Sequence, residues 1–323
     1  MNIENTIPLN SLAGIDQIGA IFEMYLPDMI EQYPQLKILT SDVGYIARID
    51  RLKALYPDQF INVGIAEQNL VGVSAGLTSE GFKCVAFAQA VFMTMRCFDQ
   101  VRQYLSYGEY PIVLVGLGAG FMMQFMGNTH YAMEDIAIMR SLPGMVVLSP
   151  ADASEAVKAF DAALKLDKPV YIRLTGDSST PLVYENNYQY NVGKSNIVKD
   201  GNEVTIFATG SIVYNTLKAA DIVEKNNISV KVIDIHTIKP LDTQIINNAK
   251  GCSLFVSVEE HHITGGLGSA IADYLAEVSG FPPLLKLGIK DKYSVIGDYQ
   301  FLLEHNRLTP EQIAEDIMKQ LRK

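Results

Sequence analysis

Two hydrophobic periods alternate along the chain. Apolar positions at helical spacing predict an amphipathic helix over residues 17–32 and further helices over 93–107 and 133–140. Short apolar runs rich in β-branched residues predict strands over 36–40, 84–88, 112–115, 145–148 and 170–174. After Gly64-Ile65-Ala66-Glu67-Gln68-Asn69, the positions Leu70, Val71, Ser74 and Leu77 recur at helical spacing and form an inward stripe. Ser149-Pro150-Ala151-Asp152 reads as a helix start, with a capping serine, proline in the first turn and an acid at the third position. Strands buried on both faces and alternating with helices predict a parallel sheet.

Residues 175–193 are polar and rich in turn formers, from Thr175-Gly176-Asp177 to Tyr184-Glu185-Asn186-Asn187-Tyr188. Beyond them the α/β rhythm resumes, with strands expected over 204–208, 230–235, 254–258 and 284–287 and a last helix over 310–321. The expected fold class is α/β, with two doubly wound domains. A mainly parallel-sheet domain over 1–180 and a linker over 181–193 precede a smaller α/β domain over 194–323.

A length of 323 residues, 48% hydrophobic, suffices for two domains with their own cores. The net charge of -10 argues against nucleic acid or an anionic membrane as partner. Cys84, Cys97 and Cys252 lie in apolar surroundings without paired spacing, which reads as reduced core thiols and a cytoplasmic setting. Met1-Asn2-Ile3-Glu4-Asn5 carries neither a basic nor an apolar segment, so no signal peptide is expected, and no apolar run has membrane-spanning length.

Glu67 lies three and four residues before Leu70 and Val71, on the inward face. A buried carboxylate is costly without a partner or a task. Two readings follow from the residues: a first-turn acid at a helix N-terminus, or a carboxyl whose raised pKa suits proton sharing.

The segment Gly64-Ile65-Ala66-Glu67-Gln68 resembles the thiamine diphosphate enzymes of the transketolase type. The resemblance continues through Phe92 to Val101, Gly127-Asn128-Thr129-His130, Met145 to Asp152, Val258-Glu259-Glu260-His261-His262 and Gly265-Gly266-Leu267-Gly268, over nearly the whole chain. It implies a pyrimidine-binding domain followed by a transketolase C-terminal domain. In the family, a glutamate hydrogen-bonds N1′ of the cofactor's aminopyrimidine, the role that falls on Glu67. Phe92 matches the aromatic that stacks on that ring, Arg96 follows it as in split transketolases, and Asp42 matches an acid near the cofactor. His130 matches the histidine facing the reacting carbon and the substrate. Taken from the residues alone, Phe92 reads as a core aromatic and His130 as a loop histidine.

The family's metal-binding Gly-Asp-Gly does not occur; Gly297-Asp298-Tyr299 departs at its last position. The resemblance therefore implies a separate partner subunit that binds the diphosphate through Mg2+, with no metal ligands here, and an α2β2 assembly. It implies transfer of a two-carbon ketol unit from a ketose donor to an aldehyde acceptor. Two alternatives stand beside this: the β subunit of a 2-oxo acid dehydrogenase, and a catalytically silent structural or regulatory subunit.

Substrate contacts of sugar-phosphate transketolases are missing. Met126 stands where the family has an aspartate, Gly118 where it has a histidine, and Gly176 near an expected arginine. The loop that also holds Phe121, Gln124 and Phe125 is apolar and adaptable. The expectation is a carbohydrate acceptor that depends less on phosphate, such as a deoxy or nucleotide-linked sugar. Gly116-Leu117-Gly118-Ala119-Gly120 lacks the spacing of a dinucleotide loop. His261-His262 reads as a solvated loop, and Gly265-Gly266-Leu267-Gly268 as a tight turn.

Overall fold

The computed structural model describes residue 7, residues 9–184 and residues 186–322. Residues 1–5, on which the signal-peptide reading rests, and Glu185 of the linker lie outside them. Among the described residues the strands are β1 (Leu36–Thr40), β2 (Phe60–Asn62), β3 (Lys83–Gln89), β4 (Val113–Leu117), β5 (Val146–Leu148) and β6 (Val170–Arg173). They continue as β7 (Asn196–Lys199), β8 (Val204–Thr209), β9 (Val230–Asp234), β10 (Thr237–Lys239), β11 (Leu254–His262) and β12 (Leu284–Ile289). They form a seven-stranded sheet in the order β10-β5-β6-β4-β3-β1-β2 and a five-stranded sheet in the order β12-β11-β8-β9-β7. Both are parallel except at one edge strand each, β10 on β5 and β7 on β9. This is the expected pair of α/β units. The three- and four-residue strands β2, β7 and β10 are too short to show a period, and the sequence pattern does not predict them.

The parallel strands read as continuous apolar runs because helices cover both faces; β3 is buried from Cys84 to Gln89. One face packs Phe22 against Phe87, with ring centroids 4.8 Å apart. The opposite face shares a core with the second sheet: Leu39, Ala86 and Leu114 lie in one cluster with Phe207, Ile233 and Phe255. The helix expected over 17–32 is present, but Ala20–Tyr25 is wound as a π-helix just before Pro27. Proline has no N–H to give and crowds the preceding turn, so a wider winding accommodates it.

Local details depart from the pattern. The helix after β5 is Ala153–Lys165, and its cap is Asp152, whose side chain accepts from Glu155 N, not Ser149. Ser149 instead pairs its backbone with His236 and Gly210 at the junction of the two sheets. His261 is not in a solvated loop: β11 runs through it and buries it completely. Cys84 and Cys97 are buried free thiols, Cys252 is partly buried, and burial pushes Cys97 up to about 12.

The segment after β6 is tied down by tyrosines. Tyr184 Oη donates to Asp234 Oδ2 at 2.5 Å, Tyr188 Oη donates to Glu155, and the two rings stack with centroids 4.0 Å apart. Asp234 and Glu155 are both fully buried. Burial pushes Asp234 up to about 7, and burial followed by the charge of Asp234 raises Glu155. Unfolded, Asp234 ionises near about 3.9. The folded chain thus holds an extra proton between about 4 and about 7, and the stability it brings is lost as pH rises through that window. Burial lowers His236 to about 3 and His261 to about 4, and these groups act in the opposite sense only below about 6.5. Between about pH 6.5 and 7, therefore, urea midpoints should fall as pH rises, with Glu259, also pushed up to about 7 by burial, adding to the fall. Asp234→Asn should flatten that slope, and an unchanged slope in the variant would remove Asp234 as its source.

Candidate active site

Each candidate residue follows the C-terminal end of one of four neighbouring parallel strands, β4-β3-β1-β2. Loops at that end of an open α/β sheet form its ligand crevice. Asp42 follows β1 in a left-handed conformation, φ 63°. Its carboxylate accepts from Asn62 Nδ2 at 2.8 Å and its N–H donates to Asn62 Oδ1, which locks the end of β1 to the end of β2. A cavity of about 200 Å³ adjoins it, lined by Thr40, Asp42, Tyr45 and Asn62.

Glu67 follows β2 and is the first residue of the helix Glu67–Ser79. It is 2% exposed, and Leu70, Val71 and Ser74 bury the same face, as the spacing predicts. It is not an unpartnered acid: Oε2 accepts from Arg96 Nη1 at 2.8 Å. Phe92 and Arg96 follow β3, the first on the helix Ala90–Met95 and the second at its C-cap. The Arg96 guanidinium lies 4.1 Å over the Phe92 ring, and the His130 ring meets Phe92 edge-on with centroids 5.4 Å apart. Glu67, Arg96, Phe92 and His130 therefore form one continuous array drawn from three loops. His130 Nδ1 lies 2.9 Å from Thr129 Oγ1, which leaves Nε2 as the nitrogen to face a ligand.

The loop after β4 carries the remaining candidates. Gly118 has φ 71°, and a Cβ there would lie 2.2 Å from Met123 Sδ, so a side chain at Gly118 would be strained and would have to push Met123 aside. Gln124 takes φ 45°, while Phe125 and Met126 are 69% and 47% exposed. The loop tip rests on the second domain. Asn128 and Ser294 exchange two hydrogen bonds, Nδ2 to Ser294 O at 2.7 Å and Ser294 N to Oδ1 at 3.0 Å. A Cβ at Gly127 would lie 3.0 Å from Ile296 Cδ1. Sequence reasoning missed Ser294 and Ile296 as supports because nothing local marks them; only the packing of the second sheet brings them to the loop.

Beneath the loop lies a fully buried charge cluster that the sequence did not disclose. Arg173 Nε donates to Asp135 Oδ2 at 2.8 Å and to Oδ1 at 3.0 Å, and Tyr171 Oη donates to Oδ2 at 2.8 Å. His261 stands 3.8 Å from Glu259 and 4.0 Å from Asp135. Glu259 caps the helix Leu267–Glu277 by accepting from Leu267 N and Gly268 N, and burial still pushes it up to about 7. The glycine turn there serves this cap: a Cβ at Gly266 would fall 1.9 Å from Glu259 Oε2. Among the described residues no group of three or more His, Cys, Asp or Glu side chains could hold a metal ion, and no helix is long and apolar enough to cross a membrane.

Comparison with known proteins places these elements in context. Residues 17–179 match the transketolase pyrimidine-binding domain, and residues 193–313 match the transketolase C-terminal domain. A 6-deoxy-6-sulfo-D-fructose transketolase subunit of Clostridium sp. (strain MSTE9) is 33% identical, over 89% of this chain and 90% of its own. An apulose-4-phosphate transketolase subunit of Phocaeicola vulgatus is also 33% identical, over 92% of this chain and 95% of its own. A solved split-gene transketolase, described as an inactive β4 tetramer, superimposes with a TM-score of 0.85 at 32% identity, covering 96% of this chain and 99% of that one.

Proposed function

This chain belongs to the transketolase family through both of its domains, and we propose that it is the pyrimidine-binding half of a split, thiamine diphosphate-dependent transketolase. In this reading it works with a separate subunit that binds the diphosphate and Mg2+, in an α2β2 assembly, and moves a two-carbon ketol unit from a ketose to an aldehyde. We place the pyrimidine-binding domain over 1–180, the linker over 181–193 and the C-terminal domain over 194–323.

The array of Glu67, Arg96, Phe92 and His130 carries this reading. Its residues fit the cofactor's ring. A planar guanidinium already stacks 4.1 Å over Phe92 while donating to Glu67, which are the two contacts a planar aminopyrimidine would make. Glu67 would hold the proton at N1′, and its burial keeps water from competing for that oxygen. Phe92 would set the plane of the ring once the half-exposed Arg96 swings off it to the ring's edge, with Asp42 at the neighbouring strand end. Bound there, thiamine diphosphate would supply an electron sink next to the donor's carbonyl carbon. His130 would present Nε2 to the donor's oxygens and shift protons between them.

Phe125, Met126 and Ile296 are exposed apolar side chains around the loop, as are Ile65 and Met95 on the neighbouring elements. Surface of this kind is what a partner subunit covers. Relatives named as transketolase subunits support the need for one, and the one described as inactive is a tetramer of β chains alone. For the acceptor, the bare Gly118 and the apolar Met126 favour a sugar held with little help from phosphate. One relative is named for a deoxy sulfo-sugar and another for a sugar phosphate, so assay decides the substrate.

The test is calorimetric titration of thiamine diphosphate with Mg2+ into this chain, alone and with its co-purified partner. Binding is expected only in the complex, with slow turnover of xylulose 5-phosphate and ribose 5-phosphate. Absence of binding in every pairing would favour a catalytically silent subunit. Rapid turnover of that sugar pair would refute the substrate reading while leaving the enzyme class intact. Oxidation of a 2-oxo acid by the complex would instead identify a dehydrogenase β subunit.

A further inference from the structure

The histidine loop is held at its feet by the second domain, and one side chain there bears on its neck. Glu260, on β11, is 1% exposed. Its Oε1 accepts from Phe121 N at 2.5 Å, on the outgoing limb of the loop. Its Oε2 accepts from Tyr299 Oη at 2.6 Å and from Ser211 Oγ at 3.1 Å, both in the second domain. The backbone of the same residue holds the returning limb through Arg173. Arg173 Nη2 donates to Glu260 O at 2.7 Å and to Ala132 O at 3.3 Å. The two limbs meet where Gly120 N donates to Ala132 O at 3.1 Å.

The fit at this neck is close. Gly120 has φ 63°, and a Cβ there would lie 2.1 Å from Glu260 Oε1. Phe121 and Tyr131, one on each limb, are buried edge to face with centroids 5.2 Å apart, within the core cluster of the second sheet. Between these anchors the loop carries Gln124, Phe125, Met126 and His130. A carboxylate taking one backbone N–H and two hydroxyls makes charge-assisted bonds, which are stronger and shorter than neutral ones.

We infer that Glu260 is a positioning residue for His130: it holds the loop 118–132 in the register that sets the imidazole against Phe92. The second domain thereby contributes to a site whose ligand-facing groups all come from the first. This inference rests on the transketolase reading for its catalytic consequence, and on geometry alone for the clamp.

Two measurements separate them. In the full chain, hydrogen exchange of the Phe121 amide and of the peptide over 118–132 should quicken about tenfold or more in Glu260→Ala, as one charge-assisted bond is lost. Glu260→Gln keeps an oxygen for Phe121 N and should restore protection to near the wild-type level. In the two-subunit enzyme, Glu260→Ala should lower kcat about 10- to 100-fold, as expected for a slightly displaced catalytic group. Its Kd for thiamine diphosphate should stay within about twofold of wild type, because Glu67 and Phe92 sit on other elements. Glu260→Gln should recover most of kcat. Unchanged exchange in Glu260→Ala would overturn the clamp whatever the enzyme does. Quickened exchange with wild-type kcat would overturn the positioning role and leave the transketolase reading standing. A loss of cofactor affinity matching the loss of kcat would assign Glu260 to general structure instead. A wild-type complex without ketol transfer would overturn the role together with the reading it rests on.

Discussion

Glu67→Gln is expected to lower kcat of the proposed two-subunit enzyme by about 10²- to 10⁴-fold, the range that a positioned proton-transfer group contributes. The substitution keeps the shape of the side chain. It leaves an oxygen that can still accept from Arg96 Nη1, now 2.8 Å from Oε2. What it removes is the capacity to exchange a proton at a site 2% exposed, where water cannot take over. The helix Glu67–Ser79 also loses a negative charge at its first residue, an effect of about 0.3–1 kcal/mol that unfolding curves would register separately. Steady-state kinetics at saturating cofactor make the measurement. A kcat within about threefold of wild type would end the proton-transfer role, since the smallest useful contribution of such a group is about a hundredfold.

The largest effect on stability is expected from Asp135→Ala. Asp135 and Arg173 are both fully buried, and Arg173 Nε reaches both carboxylate oxygens. Removing one partner of a buried pair leaves the other charge uncompensated, at a cost of about 3–5 kcal/mol. Tyr171 Oη would lose its acceptor in the same step, and among the described residues Ala132 O and Glu260 O would remain as hydrogen-bond partners of the guanidinium. Arg307 provides the contrast. It pairs with Glu315 and Asp316 at 2.8 Å each, yet its side chain is 42% exposed, so Arg307→Ala should cost no more than about 1 kcal/mol. Urea unfolding of the three proteins at one pH compares them directly. A cost for Asp135→Ala as small as that for Arg307→Ala would mean that water or a rearranged neighbour satisfies Arg173, and the buried cluster would lose its structural standing.

Much of the placement of the candidate residues was legible before any coordinates. The spacing of Leu70, Val71 and Ser74 placed Glu67 on an inward face, and the side chain is buried there. The resemblance named Phe92, Arg96 and His130, and the structure brings them against Glu67 in one array. The Glu67–Arg96 ion pair itself was not legible. Nor was the support of the loop by Ser294, Ile296 and Glu260. His261-His262 misled, because two adjacent histidines look polar in sequence, whereas β11 runs on through both and buries His261 beside Glu259 and Asp135, leaving only His262 partly exposed.

Periodicity and turn chemistry act over one or two turns of chain. Local pattern was therefore enough to dictate the alternation of helices and strands, the burial of the strands and the final helix Pro310–Leu321. What lies across from what was settled only by the packing of the whole chain. That packing sent β10 to the edge of the first sheet, opposite β5, and it buried Arg173 beside Asp135, 38 positions away. It also set Glu260 under Phe121, 139 positions away. Such contacts depend on how two sheets dock, and a buried polar group keeps its place there only where that docking supplies its hydrogen-bond partner.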